Sequence, residues 1–210
     1  MNQKVDILLA TYNGEKYIKE QVESILNQTY ENIQIIISDD CSTDKTRQVL
    51  KEYENNEKIK IFYQEKNLGY VKNFEFLLKQ VESNLYMLSD QDDVWKKEKV
   101  EKSVEKIESE KLDLVFGDLE VVDENLNTLY KSYNRYMHLI HKLKKYQKDY
   151  RLQYLYNCMT GCTIISRKNW IDKVLPFPTN SKYMIHDYWL GLVIALNGKV
   201  GYIEEPYILY

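Results

Sequence analysis

Residues 5–26 read VDILLATYNGEKYIKEQVESIL: a short apolar run, a break at Thr11-Tyr12-Asn13-Gly14, then Ile18, Val22, Ile25 and Leu26 at helical spacing. That is strand, loop, helix. The same unit recurs. IQIIISDD (33–40) precedes CSTDKT, where Ser42 or Thr43 is placed to cap a helix carrying Val49, Leu50 and Tyr53. IKIFYQ (59–64) leads through EKNLGY to Val71, Phe74, Leu77, Leu78 and Val81, and LYMLSD (85–90) leads to Val100, Val104 and Ile107. The strands are β-branched and too apolar to be buried on one side only, so four tandem units predict a mainly parallel sheet covered by helices on both faces.

The second half is less regular. LDLVFGD (112–118) and LEVVDEN (119–125) predict two neighbouring strands paired as a hairpin or a crossing pair. From Tyr130 to Asn157 the chain is aromatic and basic, with Lys142, Lys144, Lys145, Lys148 and Arg151 against Asp149 alone. Such a stretch suits either an anionic membrane surface or a solvated helix pair over a cleft. CTIISR (162–167) predicts a strand, HDYWLGLVIALNG (186–198) an apolar helix stopped at Asn197-Gly198, and KVGYIEEPYILY (199–210) a strand running to the end.

With 210 residues, 44% of them hydrophobic, the chain can bury one sizeable core, and a single domain is expected. Its 29 basic and 32 acidic side chains leave a net charge of -3, which gives no general electrostatic attraction for nucleic acid. Three cysteines, Cys41, Cys158 and Cys162, fit reduced thiols in a cytosolic setting, and Cys158-x3-Cys162 lacks the second ligand pair of a zinc site. No segment approaches the roughly 18 apolar residues of a membrane span.

In an open α/β sheet, ligands gather beyond the carboxyl ends of the strands. The unusual residues fall there: Tyr12 and Asn13 after the first strand, Asp39 and Asp40 after the second, Asn67 and Gly69 after the third, and Asp90, Asp92 and Asp93 after the fourth. Crowded carboxylates repel each other unless they are solvated, protonated or bridged by a cation, and a magnesium or manganese ion shared with a substrate phosphate answers that repulsion. A solvated acidic turn capping the next helix accounts for SDQDD equally well on its own, as an N-capped turn does for DDCSTD.

Taken in order, ILLATYNGEKYIKEQVESILNQTY, IIISDDCSTDKT, NLGYVKNF, MLSDQDDVW, TGCTIISRKNW and HDYWLGL resemble the family 2 glycosyltransferases, and MLSDQDDVW in particular a rhamnosyltransferase-like bacterial member. The resemblance implies the GT-A fold, with a nucleotide-sugar-binding half over residues 1–117 and a smaller acceptor-binding half over 118–210. It implies an inverting, metal-dependent transfer of a sugar from a UDP- or dTDP-sugar to a hydroxyl of a glycan or lipid-linked acceptor in cell-surface polysaccharide synthesis. The enzyme would work in the cytoplasm or peripherally on the cytoplasmic face of the membrane.

By the same resemblance, Tyr12 packs on the nucleobase, Asp39 accepts from a base ring nitrogen, and Asn67, Gly69 and Asn73 touch ribose or base. Asp90 and Asp92 form the D-x-D that holds Mn2+ or Mg2+, with Asp92 the direct ligand and Asp90 reaching the ribose or the metal. Asp187 is the general base and Gly161 lines the acceptor pocket. Cys41 stands where such proteins often have glycine. They also continue past PYILY into a segment with a basic residue and a histidine, so a C-terminal truncation at Tyr210 is expected. Two other readings are a non-catalytic nucleotide-sugar or membrane-surface binding module and another metal-dependent nucleotide enzyme, such as a nucleotidyltransferase.

Overall fold

The computed structural model describes residues 3–139, 157–178 and 185–210. The first half alternates strands β1 (Val5–Thr11), β2 (Ile33–Asp39), β3 (Ile59–Tyr63) and β4 (Leu85–Ser89) with helices α1 (Ile18–Leu26), α2 (Thr46–Lys51), α3 (Tyr70–Leu78) and α4 (Lys99–Ser109). A two-residue strand β5 (Val94–Trp95) precedes α4. Then come β6 (Leu114–Gly117), β7 (Val121–Val122), β8 (Thr128–Tyr130), the short α5 (Tyr133–Tyr136), β9 (Ile165–Arg167), a turn of helix at Ile171–Val174, the helix His186–Asn197, β10 (Val200–Ile203) and β11 (Ile208–Leu209).

The main sheet has seven strands in the order β10-β6-β9-β4-β1-β2-β3. All run parallel except β9, which lies antiparallel between β4 and β6. Strand alternation divides the core in two. Val5, Ile7 and Leu9 of β1 pack with Ile18, Val22 and Ile25 of α1 and with Val100, Val104 and Ile107 of α4 on one face. Leu8 and Ile36 pack with Phe74, Leu77 and Leu78 of α3 and with Leu190 and Ile194 on the other. Each such side chain, once buried, contributes about 1.5–3 kcal/mol, so both faces hold the sheet.

Several expectations need correcting. The segments 112–118 and 119–125 do not pair with each other. β6 joins the main sheet, whereas β7 pairs antiparallel with β8 across a turn closed by the Asp123 carboxylate, which accepts from the Asn125 and Asn127 amides. The terminal strand is two: β10 lies parallel to β6, and β11 crosses to pair with β5, because Glu204-Glu205-Pro206 interrupts the run. Neither Ser42 nor Thr43 caps α2. Asp44 accepts from the Thr46 amide, while Ser42 Oγ accepts from the Asn13 amide across the loops. Lys142 to Arg151 lie outside the described residues. Among the described residues no helix is long and apolar enough to cross a membrane.

Candidate active site

Beyond the carboxyl ends of β1 to β4 the loops tie one another down. The Thr43 amide donates to Asn13 Oδ1 at 2.8 Å, and the Leu68 and Gly69 amides donate to the two Asp40 carboxylate oxygens at 2.7 and 2.8 Å. Three backbones here take left-handed angles: Asn13 (φ 50), Cys41 (φ 64) and Gly69 (φ 79). Only at Gly69 is that conformation free of a Cβ penalty, and it turns the chain into α3. Cys41, in the position where glycine was noted to be common, adopts it with a side chain attached.

These loops enclose a cavity of about 390 Å3 lined by Tyr12, Asn67, Gly69, Asn73, Asp90 and Asp92, together with Thr11, Asp40, Tyr70, Phe74 and Gln91. Six of the nine residues to which the resemblance gives a role therefore line one cavity. Tyr12 stands exposed at the cavity, as a ring available for stacking must. A larger open groove of about 830 Å3, lined by residues such as Val81, Asn84 and Lys168, lies at the amino ends of the strands. It has none of these groups, and ligands of open α/β sheets bind at the other edge.

Asp39 lies behind the cavity, fully buried. Its Oδ2 accepts from Arg47 Nε at 2.5 Å and from the Ser42 amide, and its Oδ1 has no partner among the described residues. Arg47 in turn donates to the Gln64 carbonyl and lies over the Tyr63 ring. No local pattern marks Arg47, which lies eight residues on and in another element.

The SDQDD turn is organised by Gln91, which sequence reasoning passed over. Its Oε1 accepts from Thr11 Oγ1 at 2.6 Å and from the Tyr12 amide at 2.9 Å, locking the first loop to the fourth. Burial, and then the charges of Asp92 and Asp187, push Asp90 up to about 7. Asp93 is driven well above the carboxylate range by burial and by Asp90, and its Oδ2 has no partner among the described residues. Oxygen atoms of Asp90 and Asp93 and the sulfur of Cys162 lie within 4.8 Å of one another. Lys99, buried against the Trp95 ring with its Nζ 3.4 Å from the ring centre, is pulled down to about 7 by loss of solvent. The chemistry fits a cation: carboxylates crowded at a cavity raise each other's proton affinity, and a hard divalent ion relieves that repulsion. Asp93 belongs to the acidic cluster expected there, although outside its D-x-D pair, whereas Cys162 was not foreseen in it.

Asp187 opens the helix His186–Asn197 and is buried. Its Oδ2 accepts from the Gly161 amide at 2.9 Å and its Oδ1 from the Tyr188 amide at 2.6 Å. Burial raises its proton affinity against the pull of those two amides. Gly161 earns its place by close approach: a Cβ there would come within 3.2 Å of Asp187 Cβ. Asp187 and Gly161 thus form a unit beside the cavity, near enough for the Asp187 charge to act on Asp90.

Residues 6–175 match the family described as Glycosyl transferase family 2. The chain is 30% identical to the dTDP-rhamnosyl transferase RfbG of Shigella flexneri over 96% of its own length and 70% of that protein's. It is 26% identical to the UDP-Glc:alpha-D-GlcNAc-diphosphoundecaprenol beta-1,3-glucosyltransferase WfgD of Escherichia coli, covering 97% of this chain and 74% of the relative. Among solved structures, TarS 1-349 of S. aureus in complex with UDP-GlcNAc superposes with a TM-score of 0.75 at 23% identity, and 99% of this chain spans 58% of that one. The mannosyltransferase PcManGT from Pyrobaculum calidifontis, in complex with GDP-Man and Mn2+, gives 0.73 at 13% identity, over 98% of this chain and 55% of that one. These structural likenesses establish the GT-A fold, and the family match over most of the sequence makes the chain a member of glycosyl transferase family 2.

Proposed function

We propose that this chain catalyses inverting, metal-dependent transfer of a sugar from a UDP- or dTDP-sugar to a hydroxyl of a glycan or lipid-linked acceptor, in the assembly of a cell-surface polysaccharide at the cytoplasmic face of the membrane. The observation that carries this reading is the juxtaposition of Asp90 and Asp92 on the cavity wall with a buried, amide-held Asp187 beside it. The RfbG and WfgD names support the dTDP or UDP donor and the surface-glycan setting.

In this reading Tyr12 stacks on the base, Asp39 Oδ1 accepts from a base N–H, and Asn67, Gly69 and Asn73 flank the ribose. Asp92 and Asp90 hold Mn2+ or Mg2+. When bound, that ion stabilises the negative charge that builds on the departing diphosphate. Asp187 takes the proton of the acceptor hydroxyl as its oxygen bonds to the anomeric carbon from the face opposite the leaving group, and the bond to the diphosphate breaks. A single displacement with one base inverts the anomeric centre. The raised proton affinity of Asp187 suits that role, since a carboxylate of ordinary acidity is a weaker base. Gly161 lets the backbone of the acceptor half come up against the base.

Calorimetric titration of UDP, dTDP and GDP, with and without Mn2+, tests the donor site. One of the uridine or thymidine nucleotides should bind only with Mn2+, and Asp92→Ala should weaken that binding about 100-fold or more. Metal-independent binding, or binding unchanged in the variant, would sink the assignment of Asp92.

A further inference from the structure

His186 is the least expected side chain near the site. It is buried, and its ring stacks on Phe74 with centroids 4.1 Å apart and planes 16° from parallel. Tyr70 meets it edge-on at 6.0 Å, and Phe177 at 6.4 Å. Its Nδ1 has no partner among the described residues. An unpartnered buried nitrogen costs about 1–3 kcal/mol, so an imidazole is a poor filler for a box of rings. Surrounded this way it stays neutral, its proton affinity lowered by burial to about 3.

Position explains what the ring can do. Phe74 and Tyr70 belong to α3 and, with Asn73, line the same cavity as the acidic turn. His186 is the first residue of the helix and Asp187 the second. On the other side, a Cβ at Gly161 would fall 3.3 Å from His186 Nε2 and 3.2 Å from Asp187 Cβ. The start of the helix is therefore clamped between the ring of Phe74 and the backbone of Gly161. A flat stack resists both sliding and rotation of the first helical turn in a way that an aliphatic contact does not.

We propose that His186 is a positioning residue, whose stack on Phe74 couples the donor cavity wall to the turn that carries Asp187 and holds the base in register with the donor. This rests on the donor and base roles assigned above. Ordering of the wall by a bound nucleotide passes through Phe74 and His186 to the first turn of the helix. A misplaced base costs rate far more than affinity, because a displacement of about 1 Å can lower a rate roughly 100-fold.

The test compares His186→Phe, which preserves a stacking ring, with His186→Leu, which fills space without one. UDP and dTDP with Mn2+ serve as binding probes, and release of nucleoside diphosphate from UDP-glucose or dTDP-rhamnose, with water as acceptor, reports turnover. Hydrogen exchange of the helix His186–Asn197, with and without bound nucleotide, reads the coupling even where turnover to water is slow. Expected are near-native kcat and nucleotide-induced protection in His186→Phe. In His186→Leu, kcat should fall roughly 30-fold and the protection disappear, with nucleotide Kd unchanged. Equal kcat and equal protection in wild type and His186→Leu would overturn the proposal. So would a matching loss in both variants, which would assign the effect to the nitrogen instead of the stack. Failure of the wild type to bind any nucleotide would sink the donor reading and this proposal together, whereas binding with an unaffected His186→Leu would sink this proposal alone.

Discussion

Two acidic clusters stand at the same edge of one sheet, and they are built in opposite ways. Asp39 and Asp40, after β2, are met by Arg47 and by the amides of Ser42, Leu68 and Gly69, so that of their four oxygens Asp39 Oδ1 alone lacks a partner among the described residues. Asp90, Asp92 and Asp93, after β4, crowd one another near Asp187, with proton affinities raised at Asp90 and Asp93 and a buried Lys99 whose amine makes no hydrogen bond among the described residues. In sequence both are acidic clusters following an apolar run. In space the first is scaffolding with one free acceptor, and the second is unsatisfied electrostatics waiting for a ligand. Acidic composition alone therefore does not mark a site; the lack of compensating donors does.

The comparison predicts that removing the base beside the second region costs function, and that uncovering Asp39 in the first costs stability. The largest effect is expected for Asp187→Asn, which keeps the shape but removes the base: kcat for release of nucleoside diphosphate should fall about 1,000-fold with nucleotide Kd unchanged. A loss of nucleotide binding in step with kcat would move Asp187 from base to donor ligand. Next is Arg47→Ala, which leaves the Asp39 carboxylate buried with the Ser42 amide as its remaining donor. Breaking a buried pair costs about 3–5 kcal/mol, but the Arg47 side chain is 37% exposed, so water screens part of it and about 1–3 kcal/mol is expected. Urea midpoints at constant m-value measure this. A variant as stable as wild type would show that the first cluster is no more compensated than the second.

Much of this division was legible beforehand. Short apolar runs and the 3.6 period placed β1 to β4 and their helices, because β1, β2 and β4 are buried on both faces and each helix on one. The acidic and asparagine-bearing loops were legible because topology alone carries strand ends to a common edge. What escaped depended on long-range pairing. β9 is three residues long and enters the sheet against the direction of its neighbours, and β7 chose β8 over β6 because the Asp123 turn favours the nearer partner. Arg47 and Gln91 carried no signal for the same reason: each acts through a loop that the chain reaches only after folding. Nothing local marks His186 either, because the ring that covers it, Phe74, belongs to another helix.

The smallest expected effect sharpens the contrast through pH. His186 is held near 3 in the folded chain against 6.5 in the unfolded one, by burial among Tyr70, Phe74 and Phe177, none of them charged, while the Asp187 carboxylate beside it is turned to the Gly161 and Tyr188 amides. Between these values the unfolded chain binds a proton that the folded chain refuses. The stabilisation is therefore complete above pH 6.5 and is lost as pH falls toward 3, at no more than about 1.4 kcal/mol per unit. His186→Phe has no such proton to take up. The variant's urea midpoint should gain on the wild type's as pH drops from 6.5 to 5.5, by about 1 kcal/mol, because the groups the two proteins share titrate alike in both. A gap that stays constant with pH would mean the imidazole sits in a wetter setting than its three rings allow, and the second region would then be less starved of solvent than its carboxylates require.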